Sequence, residues 1–264
     1  MDKTGVLLIH GLRGSPKEFH QLEKNLKQSG LVTRVVTLPG HGENPTLPLI
    51  DVNYRVLEAH CLEEYEAFAQ TVDKVYIVGH SLGGICTLLV AAHQPSKLAG
   101  VITFSTPFEH SFLLSHPHLY LKMPLKDLLK GLPYISHSFT GFEKPAVNPL
   151  HIWRAFAETR RMFQHLKHRL CEIKTPVCMA HSTYDLSIPH AEMEKIARQI
   201  NHELVHMVTL TQSGHQIFPE SLDAAQGESI ILDFIHGRKG LAEADRGEFA
   251  TYEEVKGAFA KWHK

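Results

Sequence analysis

Six short apolar runs alternate with longer amphipathic stretches along this chain. The runs are nearly continuous in Val, Ile and Leu, which is typical of strands that are buried on both faces. They cover residues 5–10, 33–38, 74–80, 99–105, 175–181 and 204–210. Helical patterns fit residues 55–70, the stretch after 81, residues 150–170, and the stretches after Pro189 and Leu222. This alternation predicts an α/β fold whose mostly parallel sheet has helices on both faces.

The stretch SPKE at residues 15–18 predicts the start of the first helix. Ser15 offers an N-cap, Pro16 suits the first helical position, and Glu18 completes a capping box. Gly30 predicts the end of this helix. We therefore expect the side chain of Glu18 to serve the helix terminus.

Composition and charge exclude several classes of protein. The chain has 264 residues, 43% of them hydrophobic, and its 27 basic residues nearly balance its 28 acidic residues. No long block of one sign suggests a nucleic-acid partner. The first apolar run is too short for a signal peptide, and no run reaches the ~18 apolar residues of a membrane span. We expect a cytoplasmic protein with no nucleic-acid partner and no stable membrane insertion, and a homodimer stays open.

Ser81 stands between an apolar run and a helical pattern, in the stretch GHSLG. This stretch matches G-x-S-x-G, which places a serine nucleophile on a sharp turn from a strand to a helix. Small residues on either side allow the strand and the helix to approach closely. The alternative is a simple helix N-cap with flexible glycines, and the strand before Ser81 and the helix after it argue against that alternative.

Asp185 and His215 follow later predicted strands, each in a loop. A serine hydroxyl needs a base, and the base needs a carboxylate to hold its tautomer. The order Ser81, Asp185, His215 is the one that nucleophile-elbow enzymes use. Histidine is common in this chain, with 20 of 264 residues, so the position of His215 after the last strand carries more weight than its identity. The acid nearest to the preceding strand, Glu109, is the alternative carboxylate.

Acyl transfer also requires donors for the negative charge that develops on the substrate oxygen. The backbone N–H groups of Leu12, after the first strand, and Leu82, after the nucleophile, are assigned to this oxyanion hole. His10 is interpreted as a residue that organises the loop, and LPGHG at 38–42 as a tight structural turn. The pair His165 and His168 has helical i, i+3 spacing that could suit a metal, but no carboxylate or cysteine completes a site nearby. We predict no metal and no cofactor.

The stretches HGLRGSP, LPGHG, GHSLGG, HSTYDLSIP and SGH, in this order, resemble the α/β-hydrolase family. Within it the chain is similar to small bacterial carboxylesterases and monoacylglycerol-lipase-like enzymes, over about residues 4 to 236. The resemblance implies a serine-hydrolase mechanism with Ser81, Asp185 and His215 as the catalytic triad. Thr37 stands where the family often has aspartate, which leaves the triad untouched. The first strands of the full-size fold are expected to be missing, since the chain begins at the strand before the loop that carries Leu12.

Three regions follow from this interpretation. Residues 1–106 and 150–240 form the hydrolase core, residues 107–149 form a lid insertion, and residues 241–264 form a helical extension after breaks at Gly237 and Gly240. The insertion is markedly apolar, which suits an acyl-binding pocket. The side chains assigned to substrate binding are Leu113, Leu114, Leu121 and Leu125. The extension is expected to dock onto the hydrolase body or a second subunit.

The expected function is hydrolysis of carboxylic esters through an acyl-enzyme intermediate. A small-molecule ester with a short or medium acyl chain is the expected substrate, with monoacylglycerols included. An acyltransferase or thioesterase would use the same triad and stays open as an alternative. A non-catalytic binding member of the fold is a further alternative, although such proteins usually lack one or more of the catalytic positions present here.

Overall fold

The computed structural model describes residues 2–12, 14–42, 51–109, 149–218, 221 and 223–244. The strands are β1 (Thr4–Ile9), β2 (Val32–Val36), β3 (Lys74–His80), β4 (Leu98–Phe104), β5 (Val177–Ser182) and β6 (Val205–Leu210). The α-helices are α1 (His20–Gln28), α2 (Tyr54–Ala69), α3 (Leu82–Ala92), α4 (Pro149–Arg169), α5 (Ala191–Ala197) and α6 (Ala224–Ala244). Short 3-10 helices lie at Pro16–Phe19, Leu170–Glu172 and His202–Leu204.

The strands form one sheet in the order β2-β1-β3-β4-β5-β6, and every neighbouring pair is parallel. This confirms the predicted α/β fold. In a parallel sheet the carboxyl ends of all strands meet at one edge, where ligand sites form. The loops that follow β1, β3, β5 and β6 therefore come together.

Alternate residues of each strand enter two separate cores. Leu7 and Ile9 of β1 join a cluster with α2, α3, α4 and α5, whereas Val6 and Leu8 join a cluster with α1 and α6. Burial on both faces explains why the strands are nearly continuous in aliphatic residues. The two layers of helices hold the sheet, and hence its carboxyl edge, in place.

The first helix differs from its prediction at its start. The chain forms a 3-10 turn at Pro16–Phe19, and the Ser15 side chain makes no capping hydrogen bond. Glu18 is buried instead, with its Oε2 atom 3.4 Å from the backbone N of Gly11. The capping-box prediction is therefore wrong, because the carboxylate is directed into the protein. The predicted end is confirmed: Gly30, with φ 84°, follows the last turn of α1.

Helix α6 also differs from its prediction, since it continues to Ala244 through both predicted breaks. A glycine inside a helix costs only about 1 kcal/mol relative to alanine. Gly237 and Gly240 are therefore tolerated and do not end the helix. The predicted lid beyond residue 109 and the extension beyond residue 244 lie outside the described residues, as do Leu113, Leu114, Leu121 and Leu125.

Among the helices that the structure describes, none has the length and apolar character needed to cross a membrane.

Candidate active site

Ser81 lies on a sharp turn between β3 and α3. The strand ends at His80 and the helix begins at Leu82, so one residue carries the change of direction. The backbone of Ser81 has φ 53° and ψ −117°, a conformation that is costly for a residue with a Cβ atom. The strand-to-helix turn that the G-x-S-x-G pattern predicts is therefore present.

Two glycines allow β3 and α3 to approach each other closely. A Cβ atom on Gly79 would overlap the carbonyl oxygen of Gly83, and one on Gly83 would overlap the carbonyl oxygen of Ile9. Any side chain at these positions would push α3 away from the sheet, because a close-packed interior has no room to accept it. The close approach holds the N-terminus of α3 at the carboxyl edge of the sheet, directly behind Ser81.

The side chains of His215 and Asp185 form a hydrogen-bonded chain with Ser81. The Nε2 atom of His215 is 3.0 Å from Oγ of Ser81, and its Nδ1 atom is 2.7 Å from Oδ2 of Asp185. An ionised carboxylate only accepts hydrogen bonds, so Nδ1 carries the hydrogen. In the neutral ring, Nε2 is then free to accept the proton of the serine hydroxyl. The three residues that the sequence predicts are thus brought together.

Asp185 is fixed by hydrogen bonds to both carboxylate oxygens. Its Oδ1 atom accepts from the backbone N–H groups of Ser187 and Ile188, each at 2.8 Å. Its Oδ2 atom lies 3.2 Å from Nε2 of His181 as well as near His215. Burial alone would raise the pKa of Asp185, but the attraction of His215 and the hydrogen bonds from both histidines hold it well below its usual range. The carboxylate is therefore ionised and rigidly oriented.

The loop that carries His215 is held at several points. Ser182, at the end of β5, donates its hydroxyl to the backbone oxygen of Ser213. The buried carboxylate of Asp223 accepts from the N–H of Gln212 at 3.0 Å, and the N–H of Asp223 donates to Oγ of Ser213 at 3.0 Å. These contacts tie the loop to β5 and to the start of α6. The position of His215 is set by the scaffold on both sides.

His10 organises the loops around the site, as its sequence context predicts. Its Nδ1 atom donates to the backbone oxygen of Gly11 at 2.9 Å, and its Nε2 atom accepts from the N–H of Leu38 at 3.2 Å. The LPGHG turn is confirmed as structural: the N–H of His41 donates to the oxygen of Leu38, and Gly40 has φ 76°. These two features are typical of a type II turn.

His41 gives the protein a predicted loss of stability in acid. Burial, followed by repulsion from His10, lowers the pKa of His41 from 6.5 to about 4. Between these values the unfolded chain binds a proton that the folded protein does not bind, so the free energy of unfolding falls as the pH falls. We expect His41 to account for about 3 kcal/mol of this loss.

The test is urea unfolding of the wild type and His41→Asn between pH 7 and pH 4. Asparagine keeps a donor near the position of Nδ1 but does not titrate in this range. The variant is expected to lose much less stability than the wild type as the pH falls. Parallel stability profiles for the two proteins would contradict the assignment.

Leu12 and Leu82 border Ser81 from two directions. Leu82 is the first residue of α3, where backbone N–H groups have no acceptor within the helix. Gly11 packs against Ser81 so closely that a Cβ atom on it would lie 3.2 Å from the Cβ of the serine. Leu12 follows Gly11, so the two residues assigned as oxyanion donors come from the helix side and from the β1 loop side of Ser81.

Glu109, the alternative acid, is paired with two lysine side chains. Its carboxylate lies 2.8 Å from Nζ of Lys195 and 3.8 Å from Nζ of Lys167, and the hydrogen bond from Lys195 lowers its pKa. The buried carboxylate of Glu192 accepts from the backbone N–H groups of Phe108 and Glu109. These contacts fasten the chain where it enters the predicted lid.

His165 has a carboxylate neighbour that the sequence around it does not reveal. Its Nε2 atom is 3.1 Å from Oε2 of Glu58, whose Oε1 atom lies 2.7 Å from Nε2 of His93 and 3.0 Å from Nη1 of Arg169. A carboxylate from α2 therefore lies beside this histidine of α4. Because a guanidinium shares the carboxylate, the cluster is an ion-pair network that joins α2, α3 and α4.

Sequence reasoning missed three side chains that lie at the site. His181 contacts Asp185, and His80 donates from Nε2 to the backbone oxygen of His215 at 2.8 Å. Glu18 contacts His80, with 2.5 Å between Oε1 and Nδ1. His80 stands inside the nucleophile motif, so its position was available from the sequence. The role of Glu18 was not available, because its spacing also satisfies a helix cap.

The profile of the alpha/beta hydrolase family matches residues 6–226. A thermostable monoacylglycerol lipase from Bacillus sp. (strain H-257) is 24% identical over 215 residues, which cover 80% of this chain and 82% of the relative. The structure of a metagenome-derived lipolytic enzyme superposes with a TM-score of 0.67 at 20% identity, covering 89% of this chain and 94% of that one. The structure of a monoacylglycerol lipase from Paleococcus ferrophilus gives 0.63 at 17% identity, with coverage of 89% and 94%.

The family profile spans most of the chain, including the segments that carry Ser81, Asp185 and His215. The likeness to the two solved structures extends over 89% of this chain. This chain belongs to the α/β hydrolase family, and within that family it resembles esterases and monoacylglycerol lipases.

Proposed function

We propose that this protein is a serine hydrolase that cleaves carboxylic esters through an acyl-enzyme intermediate. The observation that carries the proposal is the chain of hydrogen bonds from Ser81 through His215 to Asp185. Ser81 is the nucleophile, His215 is the general base and then the general acid, and Asp185 orients the imidazole and stabilises its charged form. The lipase named among the relatives supports an ester as the substrate.

In the acylation step, Nε2 of His215 takes the proton of Ser81 while Oγ attacks the carbonyl carbon of the ester. The carbonyl π electrons move onto the oxygen, which the N–H groups of Leu12 and Leu82 stabilise as an oxyanion. The positive end of helix α3 adds to this stabilisation. The tetrahedral intermediate then expels the alcohol, which receives the proton from His215, and the acyl group stays on Ser81.

In the deacylation step, water takes the place of the alcohol. His215 removes a proton from the water as its oxygen attacks the acyl carbon, and a second tetrahedral intermediate forms in the same oxyanion hole. Its collapse breaks the bond to Oγ, returns the proton to Ser81 and releases the carboxylic acid. The enzyme is restored without a cofactor.

The substrate class rests on the composition of residues 107–149, which we propose as a lid. Leu113, Leu114, Leu121 and Leu125 are the proposed acyl contacts. Burial of apolar surface yields about 0.8 kcal/mol per methylene, or about fourfold in kcat/KM for each added carbon, until the pocket is full. A lid of about forty residues encloses a limited cavity, so medium chains are favoured over long ones.

The test is hydrolysis of p-nitrophenyl esters from two to sixteen carbons, together with a monoacylglycerol, a thioester and an amide. We expect kcat/KM to rise over the short chains and to be highest at roughly four to ten carbons. A thioester that is cleaved faster than the matched ester would favour the thioesterase alternative. Transfer of the acyl group to an added alcohol faster than to water would favour the acyltransferase.

Replacing Leu113 and Leu114 with serine tests the lid itself. The double variant is expected to flatten the chain-length profile while acetate-ester turnover changes little, because an acetyl group is too short to use the proposed contacts. An unchanged profile, with acetate esters the best substrates of both proteins, would contradict the proposed lid and substrate class.

A further inference from the structure

Glu18 and His80 form a buried pair of ionisable side chains behind the nucleophile, and the proposed mechanism does not use them. The side chains are 7% and 1% exposed, and Oε1 of Glu18 lies 2.5 Å from Nδ1 of His80. The ring N–H is not aligned for a regular hydrogen bond, so the contact is an ion pair. Burying two ionisable groups costs solvation free energy, so a buried ion pair of this kind adds little to the free energy of unfolding.

The pair touches three parts of the site at once. Nε2 of His80 donates to the backbone oxygen of His215 at 2.8 Å, and His80 directly precedes Ser81. Oε2 of Glu18 lies 3.4 Å from the backbone N of Gly11, the residue before the proposed oxyanion donor Leu12. The turn at Ser81, the loop that carries His215 and the loop that carries Leu12 are therefore linked through one ion pair.

We propose that Glu18 and His80 are positioning residues. They hold the His215 backbone and the loop that carries Leu12 in place relative to Ser81. The proposal rests on the proposed serine-hydrolase function. Neither side chain forms a hydrogen bond with Ser81 Oγ or with a ring nitrogen of His215. His80 donates to the backbone oxygen of His215, and its ring packs against the His215 ring with the centroids 5.1 Å apart. The pair acts on the geometry of the base and of the oxyanion hole.

The Glu18 carboxylate favours the charged form of His80. Burial alone would lower the pKa of His80, but the carboxylate of Glu18 outweighs burial and raises it. A charged imidazole donates from both ring nitrogens, and charge-assisted hydrogen bonds are roughly twice as strong as neutral ones. Charged His80 can thus donate a hydrogen bond from Nε2 to the His215 oxygen and attract the Glu18 carboxylate at Nδ1 as an ion pair.

The test compares ester turnover by the wild type, Glu18→Gln, His80→Gln and the double variant. Displacing a catalytic group by about 1 Å costs up to about a hundredfold in rate, so we expect each single variant to lose roughly tenfold to a hundredfold in kcat. KM is expected to stay within about twofold, because the pair does not touch the substrate. The double variant is expected to lose no more than either single variant, because the pair acts as one unit.

Glu58→Gln is the matched control. It removes the charge of another carboxylate paired with a histidine, His93, at the opposite end of α3 from Ser81. The control is expected to lower the melting temperature without changing kcat. Glu18→Asp keeps the charge and supplies a second variant, with an expected kcat between those of the wild type and Glu18→Gln.

Several outcomes would overturn the positioning role. They are an unchanged kcat in Glu18→Gln, a loss of kcat in Glu58→Gln of the same size, and additive losses in the double variant. Ser81→Ala in the same assay separates this failure from failure of the proposed function. If Ser81→Ala retains wild-type turnover, the serine-hydrolase proposal fails. If Ser81→Ala is inactive but the Glu18 and His80 variants retain wild-type turnover, only the positioning role fails.

Discussion

Ser81→Ala is expected to lower ester turnover by roughly 10⁴-fold or more, to the background of the assay. The variant removes the only atom that the proposal allows to form the acyl bond. The strained backbone of Ser81, with φ 53°, presents this hydroxyl on the turn, where it is hydrogen-bonded to His215. Initial rates with a p-nitrophenyl butyrate substrate, measured on protein of verified folding, provide the comparison.

Ser105→Ala is the matched control for this experiment. Ser105 follows β4, the strand beside β3, and its buried hydroxyl has no hydrogen-bond partner among the described residues. Its backbone also has positive φ, at 49°. Removal of the Ser105 hydroxyl is expected to leave turnover within about threefold of the wild type, because this hydroxyl takes no part in the proposed reaction. Wild-type turnover by Ser81→Ala would place the nucleophile elsewhere.

His215→Ala and Asp185→Asn are expected to have the next largest effects. His215→Ala removes the base, and we expect a loss comparable to that of Ser81→Ala. In Asp185→Asn, the amide oxygen stays with the N–H groups of Ser187 and Ile188. The amide NH₂ then faces Nδ1 of His215, which must accept rather than donate.

This reversal places a hydrogen on Nε2 of His215, opposite the Ser81 hydroxyl. The ring is then in the wrong tautomer to act as a base, and we expect a loss of about 10³- to 10⁴-fold in kcat. Glu109→Gln is the control, since its carboxylate pairs with Lys195 and is expected to matter little. A fully active Asp185→Asn together with an inactive Glu109→Gln would reverse the assignment of the acid.

The strands and the order of the site residues were predictable from local patterns. Buried parallel strands need long aliphatic runs, and the observed strands agree with these runs to within two residues. The largest shifts, of two residues, are at the end of β2, which stops at Val36, and at the start of β5. Strand β5 begins at Val177 after Pro176, and proline has no N–H to donate to a strand ladder. Ser81, Asp185 and His215 were found because each follows a strand at the same edge of the sheet.

The surroundings of the triad were less predictable, because they depend on contacts between distant segments. Glu18 and His80 are 62 positions apart in the chain, and the local pattern around Glu18 also fits a helix cap. His181 is a buried residue of β5, and its ring contacts the carboxylate of Asp185. The sequence shows only a histidine at the end of an apolar run, which does not reveal whether its side chain is buried. The end of α6 was missed because single glycines lower helix stability without preventing a helix.

The most direct test of the central claim is to locate a covalent adduct after reaction with a fluorophosphonate. Trypsin cleaves after Lys74 and Lys97, so Ser81 lies in a peptide of residues 75–97. Tandem mass spectrometry separates Ser81 from Ser96 in that peptide. The account predicts one phosphonyl group on Ser81 and no adduct in the Ser81→Ala variant. An adduct on another residue, or labelling that persists in Ser81→Ala, would contradict it.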